Sequence, residues 1–252
     1  MFRSFSFGVA PAVALACVLT FPPSPATAAE CSVPPGIFAL EPALPRFLAA
    51  LKSGEPVIIV ALGDASTEGR AAGGADFSWP SQLGTALDAS FPDAAVTIVN
   101  LGKGRQTAAS AVARIGAEVL PLAPALVIWE TGTVDAVRNI GPWRFRETLE
   151  AGLGLLRPAA DVVFVDMQFS RRTHAIIDFE PYARALGQVA DLNKVPLFPR
   201  VELMRHWSET GEIDYAVQDK AKRRETARLL YRCIGRTLAS FLTRSDREET
   251  RK

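Results

Sequence analysis

Five short runs of apolar and β-branched residues, at 57–62, 96–99, 126–129, 162–165 and 195–198, punctuate this chain at intervals that a helix can bridge. Each run, such as Val57-Ile58-Ile59-Val60-Ala61-Leu62, is continuously apolar rather than alternating, which is the pattern of a strand covered on both faces. Between the runs lie Ser81 to Phe91, Thr107 to Leu120, Trp143 to Leu156 and Tyr182 to Leu192, with apolar residues three and four apart. Strand, helix, strand, repeated in this way, dictates right-handed crossovers and a three-layer α/β/α sandwich. We expect a parallel sheet of five strands in the order 2-1-3-4-5. Ligands in such sheets sit beyond the carboxyl ends of the strands, so the segments just after each run must carry any site.

A chain of 252 residues that is 48% hydrophobic and 22% charged can bury one sizeable core. Its 28 basic and 27 acidic residues leave a net charge of +1, too little field to attract nucleic acid. Met1-Phe2-Arg3, the apolar stretch to Phe21 and the small residues Ala26, Ala28 and Ala29 have the pattern of an export signal. The expected division is a signal peptide at 1–29, a linker and N-terminal helix at 30–55, one domain at 56–243 and a disordered charged tail at 244–252. Export would be to the periplasm or outside the cell, with no membrane span left after cleavage. A lipid-anchored form through Cys17 is the weaker reading, because the residues before that cysteine fit the pattern imperfectly. Cleavage leaves Cys31 and Cys233. Two separate thiols, with Cys233 packed in the last helix, is the preferred reading and a disulfide is the alternative.

Four post-strand segments resemble, in order and spacing, the blocks of the SGNH/GDSL hydrolases, over most of the chain from Val57 to Leu242. The first is Gly63-Asp64-Ala65-Ser66-Thr67-Glu68-Gly69, where the family has Gly-Asp-Ser-x-Thr and a nucleophilic serine. The second, Val99-Asn100-Leu101-Gly102-Lys103-Gly104-Arg105-Gln106-Thr107, has Arg105 where the family has its oxyanion glycine. The third, Glu130-Thr131-Gly132-Thr133-Val134-Asp135, has Val134 in place of the Gly-x-Asn-Asp asparagine. For the closing Asp-x-x-His pair, alignment on a helix start at Leu229 puts Lys222 and Glu225 at the two positions; an alternative uses Asp214 and Val217. The resemblance implies an SGNH-hydrolase-like sandwich in the flavodoxin-like strand order. It also implies that the serine, the base and the oxyanion donors of such an enzyme are replaced at Ala65, Arg105, Val134, Lys222 and Glu225. Acyl transfer needs a hydroxyl activated by an imidazole and fixed donors for the developing charge, so little conventional hydrolysis is expected.

Ser66 and His174 are the candidates for a rearranged mechanism. A residue after Ala65 on a helix points about 100° away, so the preferred reading of Ser66 or Thr67 is helix capping. His174 follows the fourth run and is preferred as a surface histidine; His206 lies in an amphipathic segment. Asp64, Ser66, Glu68, Arg105, Asp135 and Arg171 are the candidate ligand-binding residues. With Arg138, Arg172, Lys222 and Glu130 they would form a polar rim for an anionic or polyhydroxylated ligand. The blander expectation is a local Asp135–Arg138 pair amid solvated cations. No metal or cofactor is implied. The expected role is a non-catalytic pseudo-hydrolase binding a carbohydrate, acyl ester or cell-envelope component; an active ester hydrolase or acyltransferase and a periplasmic interaction protein are the alternatives.

Overall fold

The computed structural model describes Met1, residues 31–38 and residues 43–244, so the expected leader and most of the charged tail lie outside the described residues. The five runs form β1 (Val57–Leu62), β2 (Val96–Asn100), β3 (Leu126–Glu130), β4 (Asp161–Val165) and β5 (Leu197–Phe198), all parallel, in the order β2-β1-β3-β4-β5. Ala61 pairs with Asn100, Leu62 with Trp129 and Glu130 with Val165, so the strands finish along one edge. β5 is shorter than its apolar run because Pro196 has no amide to give the ladder, although its carbonyl still accepts from Phe164 N at 2.9 Å.

Alternate strand residues point to opposite faces. Ile59, Ala61, Ile128, Val163 and Val165 pack with Phe47, Leu51, Trp79, Leu83, Leu203, Trp207 and Leu238. These come from α1 (Pro45–Ser53), α3 (Trp79–Ser90), α9 (Arg200–Glu209) and α10 (Lys220–Leu242). Val60, Leu62, Val127, Trp129 and Phe164 pack with Ala111, Phe145, Leu149, Leu186 and Val189. That second layer is α4 (Ala108–Arg114), α6 (Pro142–Leu156) and α8 (Glu180–Asn193). Between them run the short helices α2 (Ala65–Glu68), α5 (Thr133–Val137) and α7 (Arg171–His174). Each fully buried large apolar side chain adds about 1.5–3 kcal/mol, which is why the double-faced apolar runs dominate the fold.

Two expectations are corrected. Cys31 and Cys233 are joined in a disulfide across a sequence separation of 202, not held as separate thiols. It straps the segment 31–38 onto α10, and Trp207 Nε1 adds a hydrogen bond to the Ser32 carbonyl at 2.7 Å. Helix α10 begins at Lys220, not Leu229: the Asp219 side chain accepts from Lys222 N at 2.9 Å and caps it. Its first turns face solvent, in keeping with the mixed charges at helical spacing from Asp219 to Arg228, and the buried residues begin only at Leu230, so alignment on Leu229 misses the N-terminus. At the other end, Arg244, the first residue assigned to the tail, donates to the Phe38 carbonyl at 2.9 Å.

Candidate functional site at the carboxyl edge of the sheet

β1 runs through Gly63 into α2. Asp64 caps this helix, its carboxylate accepting from Ser66 N at 2.9 Å, and Ala65 is the first helical residue, partly exposed. The loop after β2 is stitched onto this turn. Asn100 Nδ2 donates to Thr67 O at 2.7 Å, Lys103 N to Gly63 O at 2.9 Å and Gly104 N to the Glu68 carboxylate at 3.0 Å. Gly102 has no room for a side chain, because a Cβ there would strike the backbone of Thr67 and Glu68. The next turn gives Arg105 a φ of 65°, the left-handed conformation a glycine adopts without strain. Among the described residues, the backbone amides of Ala65 and Arg105 have no acceptor. After β3, Gly132 at φ 94° opens α5, which carries the partly exposed Val134 and the buried Asp135.

A buried ionic cluster lies beneath this turn. Glu130, the last residue of β3, and Arg200, the first of α9, have side chains 1% and 0% exposed; Arg200 Nη2 is 2.9 Å from Glu130 Oε1. Ser66 Oγ donates to the Glu130 carboxylate at 2.7 Å and accepts from Arg200 Nη1 at 2.9 Å. Thr67 Oγ1 donates to the same carboxylate, and Arg200 Nε to Met167 O at 3.3 Å. Burial alone would raise the Glu130 carboxyl, but the Arg200 charge and the two hydroxyls overcome it and hold it low. Burial, then the Glu130 charge, pushes Asp64 up to about 7. Burial likewise pushes Asp166, which accepts from Val201 N at 2.8 Å, up to about 7.

The expected rim therefore divides. Ser66 and Thr67 do not cap α2; Asp64 does, and the hydroxyls are turned inward to Glu130. Glu130 is below the rim, and Asp64, Ser66 and Asp135 are 7%, 3% and 1% exposed, each already partnered. Asp135 accepts from Ala108 N at 3.0 Å and so fixes the start of α4; its carboxyl is raised by burial, which outweighs that amide and the Arg138 charge, and no direct Asp135–Arg138 ion pair forms. Glu68 pairs with Arg70 at 2.8 Å. Arg105, Arg138, Arg171, Arg172 and Lys222 remain exposed.

His174 stacks on Phe179 and meets the tilted ring of Phe169, with ring centroids 4.5 and 5.1 Å away, and its Nδ1 is 3.1 Å from Ser170 O. Burial depresses its basicity. It lines a cavity of about 440 Å³ with Met167, Val201 and Arg205, on the β4–β5 side of the edge. Lys222 and Glu225 stand exposed on the first turns of α10. Asp214 and Val217 instead lie in the loop before that helix, lining a cavity of about 540 Å³. Sequence reasoning missed Arg200 as the partner of Glu130. The usable signal was an arginine two residues after the fifth apolar run and an acid at the end of the third: two charges at the same buried carboxyl edge of the sheet.

This architecture is that of the SGNH/GDSL lipases and esterases. A family model matches residues 30–248, and the chain belongs to the non-GDSL lipase-like family. A search of curated proteins gave no match. Among solved structures, a two-domain esterase active on acetylated mannans, crystallised with mannopentaose, is similar at 22% identity and a TM-score of 0.60, over 79% of this chain and 55% of that one. A lipase/acylhydrolase from Enterococcus faecalis gives 20% identity and 0.55, over 71% and 95%. A psychrotrophic esterase from Pseudoalteromonas sp. gives 17% identity and 0.53, over 72% and 98%. At such identities these likenesses speak for the fold alone.

Proposed function

We propose that this chain is an exported pseudo-hydrolase: a lipase-like frame without ester chemistry that binds a carbohydrate, acyl ester or cell-envelope ligand at the carboxyl edge. One observation carries the reading. Ala65 stands at the first residue of α2, where the resemblance puts the nucleophile, while the loop that would complete an oxyanion pocket is held in place around it. The free amides of Ala65 and Arg105 are suited to an electron-rich oxygen of a bound ligand, with nothing beside them to attack it. Among the described residues no helix is long and apolar enough to cross a membrane, and the disulfide is of the kind that persists in oxidising compartments; both are compatible with export.

In this reading the closing pair of the family falls at Asp214 and Val217. These two lie in the loop before the α10 cap and line its cavity, whereas Lys222 and Glu225 are past the cap on an exposed face. A second reading, hydrolysis by Ser66 with Glu130 as base, draws on their 2.7 Å hydrogen bond. It is disfavoured because both groups are sealed from solvent and Arg200 weakens Glu130 as a base.

The experiment is labelling by a fluorophosphonate together with turnover of short activated acyl esters. The intact protein should show neither, and Ala65→Ser alone should gain little. Robust turnover abolished by Ser66→Ala would replace this proposal with the second reading.

A further inference from the structure

The 540 Å³ cavity at the α9–α10 loop has a charge that its neighbours do not balance. Arg171 and Arg172 enter it from the segment after β4, and Arg223 from the second turn of α10. Asp214 is the one acidic residue in its lining, and its Oδ1 is already engaged by Ala216 N at 2.8 Å. None of the three guanidinium groups is in an ion pair among the described residues. The volume is that of a small-molecule site rather than a groove for a chain.

We infer that this cavity is a binding site for a small molecule carrying two or more oxyanions, either a carboxylate-bearing saccharide or a phosphorylated compound. Guanidinium groups from separate elements can each take a carboxylate or phosphate in the two-pronged manner that lysine cannot, and their convergence on one concavity raises the local potential for anions. Asp214 sets a limit on how much negative charge the site accepts near the loop, so the anionic groups belong on the Arg171, Arg172 and Arg223 side. The inference rests on the binding role proposed above and names the class of ligand for it.

Titration calorimetry of the full chain at low salt, with trigalacturonate, pyrophosphate and maltotriose as probes, tests this. One of the anions should bind at least about tenfold more tightly than maltotriose, and the pair Arg171→Gln/Arg223→Gln should weaken it by about tenfold or more. Preference for trigalacturonate assigns the carboxylate source; preference for pyrophosphate assigns the phosphate source. Should the glutamine pair lower the melting temperature of the free protein, Arg171→Lys/Arg223→Lys replaces it, with partial loss expected because charge is kept and the bidentate geometry is not. Anions bound no better than maltotriose, or bound equally by the double variants, would overturn the inference while leaving the pseudo-hydrolase reading intact. Esterase activity alongside arginine-dependent anion binding would do the reverse.

Discussion

A carboxylate and a guanidinium that are both shut away from water owe each other their charge. Removing the charge of Arg200 leaves the buried Glu130 carboxyl with only the hydroxyls of Ser66 and Thr67 around it, so Arg200→Met should cost about 3–5 kcal/mol by chemical denaturation. Adding Glu130→Leu should recover much of that loss, since a buried pair is often no better than well-packed apolar groups; a double variant as unstable as the single one would refute the account. Asp64 works in the opposite sense. Its carboxyl has a value of 3.8 when unfolded and about 7 when folded, so the folded state holds a proton that the unfolded chain releases. The stability it adds is complete below pH 3.8 and is lost as pH rises through 7, and Asp166 contributes with the same sign. Asp64→Asn keeps the cap of α2 and cannot titrate, so the fall in melting temperature between about pH 5 and pH 8 should be shallower than in the parent. An equal slope would locate the titration elsewhere. The sequence showed an alanine at residue 65 of the first block, but not what Ser66 does beside it. Only the fold brings residue 200 to within hydrogen-bond reach of residue 66.

At the scale of elements, the caps decide which residues a motif can use. The strands were legible because a run apolar at every position admits few alternatives, and the helices between them because their periodicity is strong. The first turns of α10 were legible only as mixed charges at helical spacing from Asp219 to Arg228, and its single-aspartate cap not at all, because no apolar stripe marks that end. Alignment on Leu229 or on the loop before the cap places the family's closing pair eight residues apart, at Lys222 and Glu225 or at Asp214 and Val217. The two alignments make different demands on an attempt to restore activity. With Asp214 already present, Ala65→Ser/Val134→Asn/Val217→His should give measurable cleavage of activated esters above the parent, whereas Ala65→Ser/Val134→Asn/Lys222→Asp/Glu225→His should give none, because an exposed helix face turns its imidazole to solvent. A kinetic comparison of the two sets, with melting curves to verify folding, distinguishes them; activity in the second set alone would reinstate the later alignment.

Across the whole molecule, the three layers and the strand order were expected from the pattern of apolar runs, but the covalent link between the ends was not, because a pair of cysteines states nothing about distance. The Cys31–Cys233 bridge closes a loop across 202 residues of sequence, nearly the entire described domain. Closing so long a loop removes much of the freedom of the unfolded chain, for which the usual return is about 2–5 kcal/mol. Its ends are also anchored without it: Ser32 N donates to Glu212 at 2.9 Å and the Ser32 carbonyl accepts from Trp207, so the segment has a seat before the bridge forms. The native state should therefore survive loss of the bridge with its sheet and cavities intact, while the unfolded state gains freedom. Cys31→Ser/Cys233→Ser should unfold at lower denaturant by about that amount, reduction of the parent should produce the same shift, and reduction of the variant should produce none. A parent protein whose midpoint is indifferent to reductant would mean that the bridge contributes nothing to its stability. A loss far above this range, with altered secondary structure, would mean that segment 31–38 needs the bridge to seat at all.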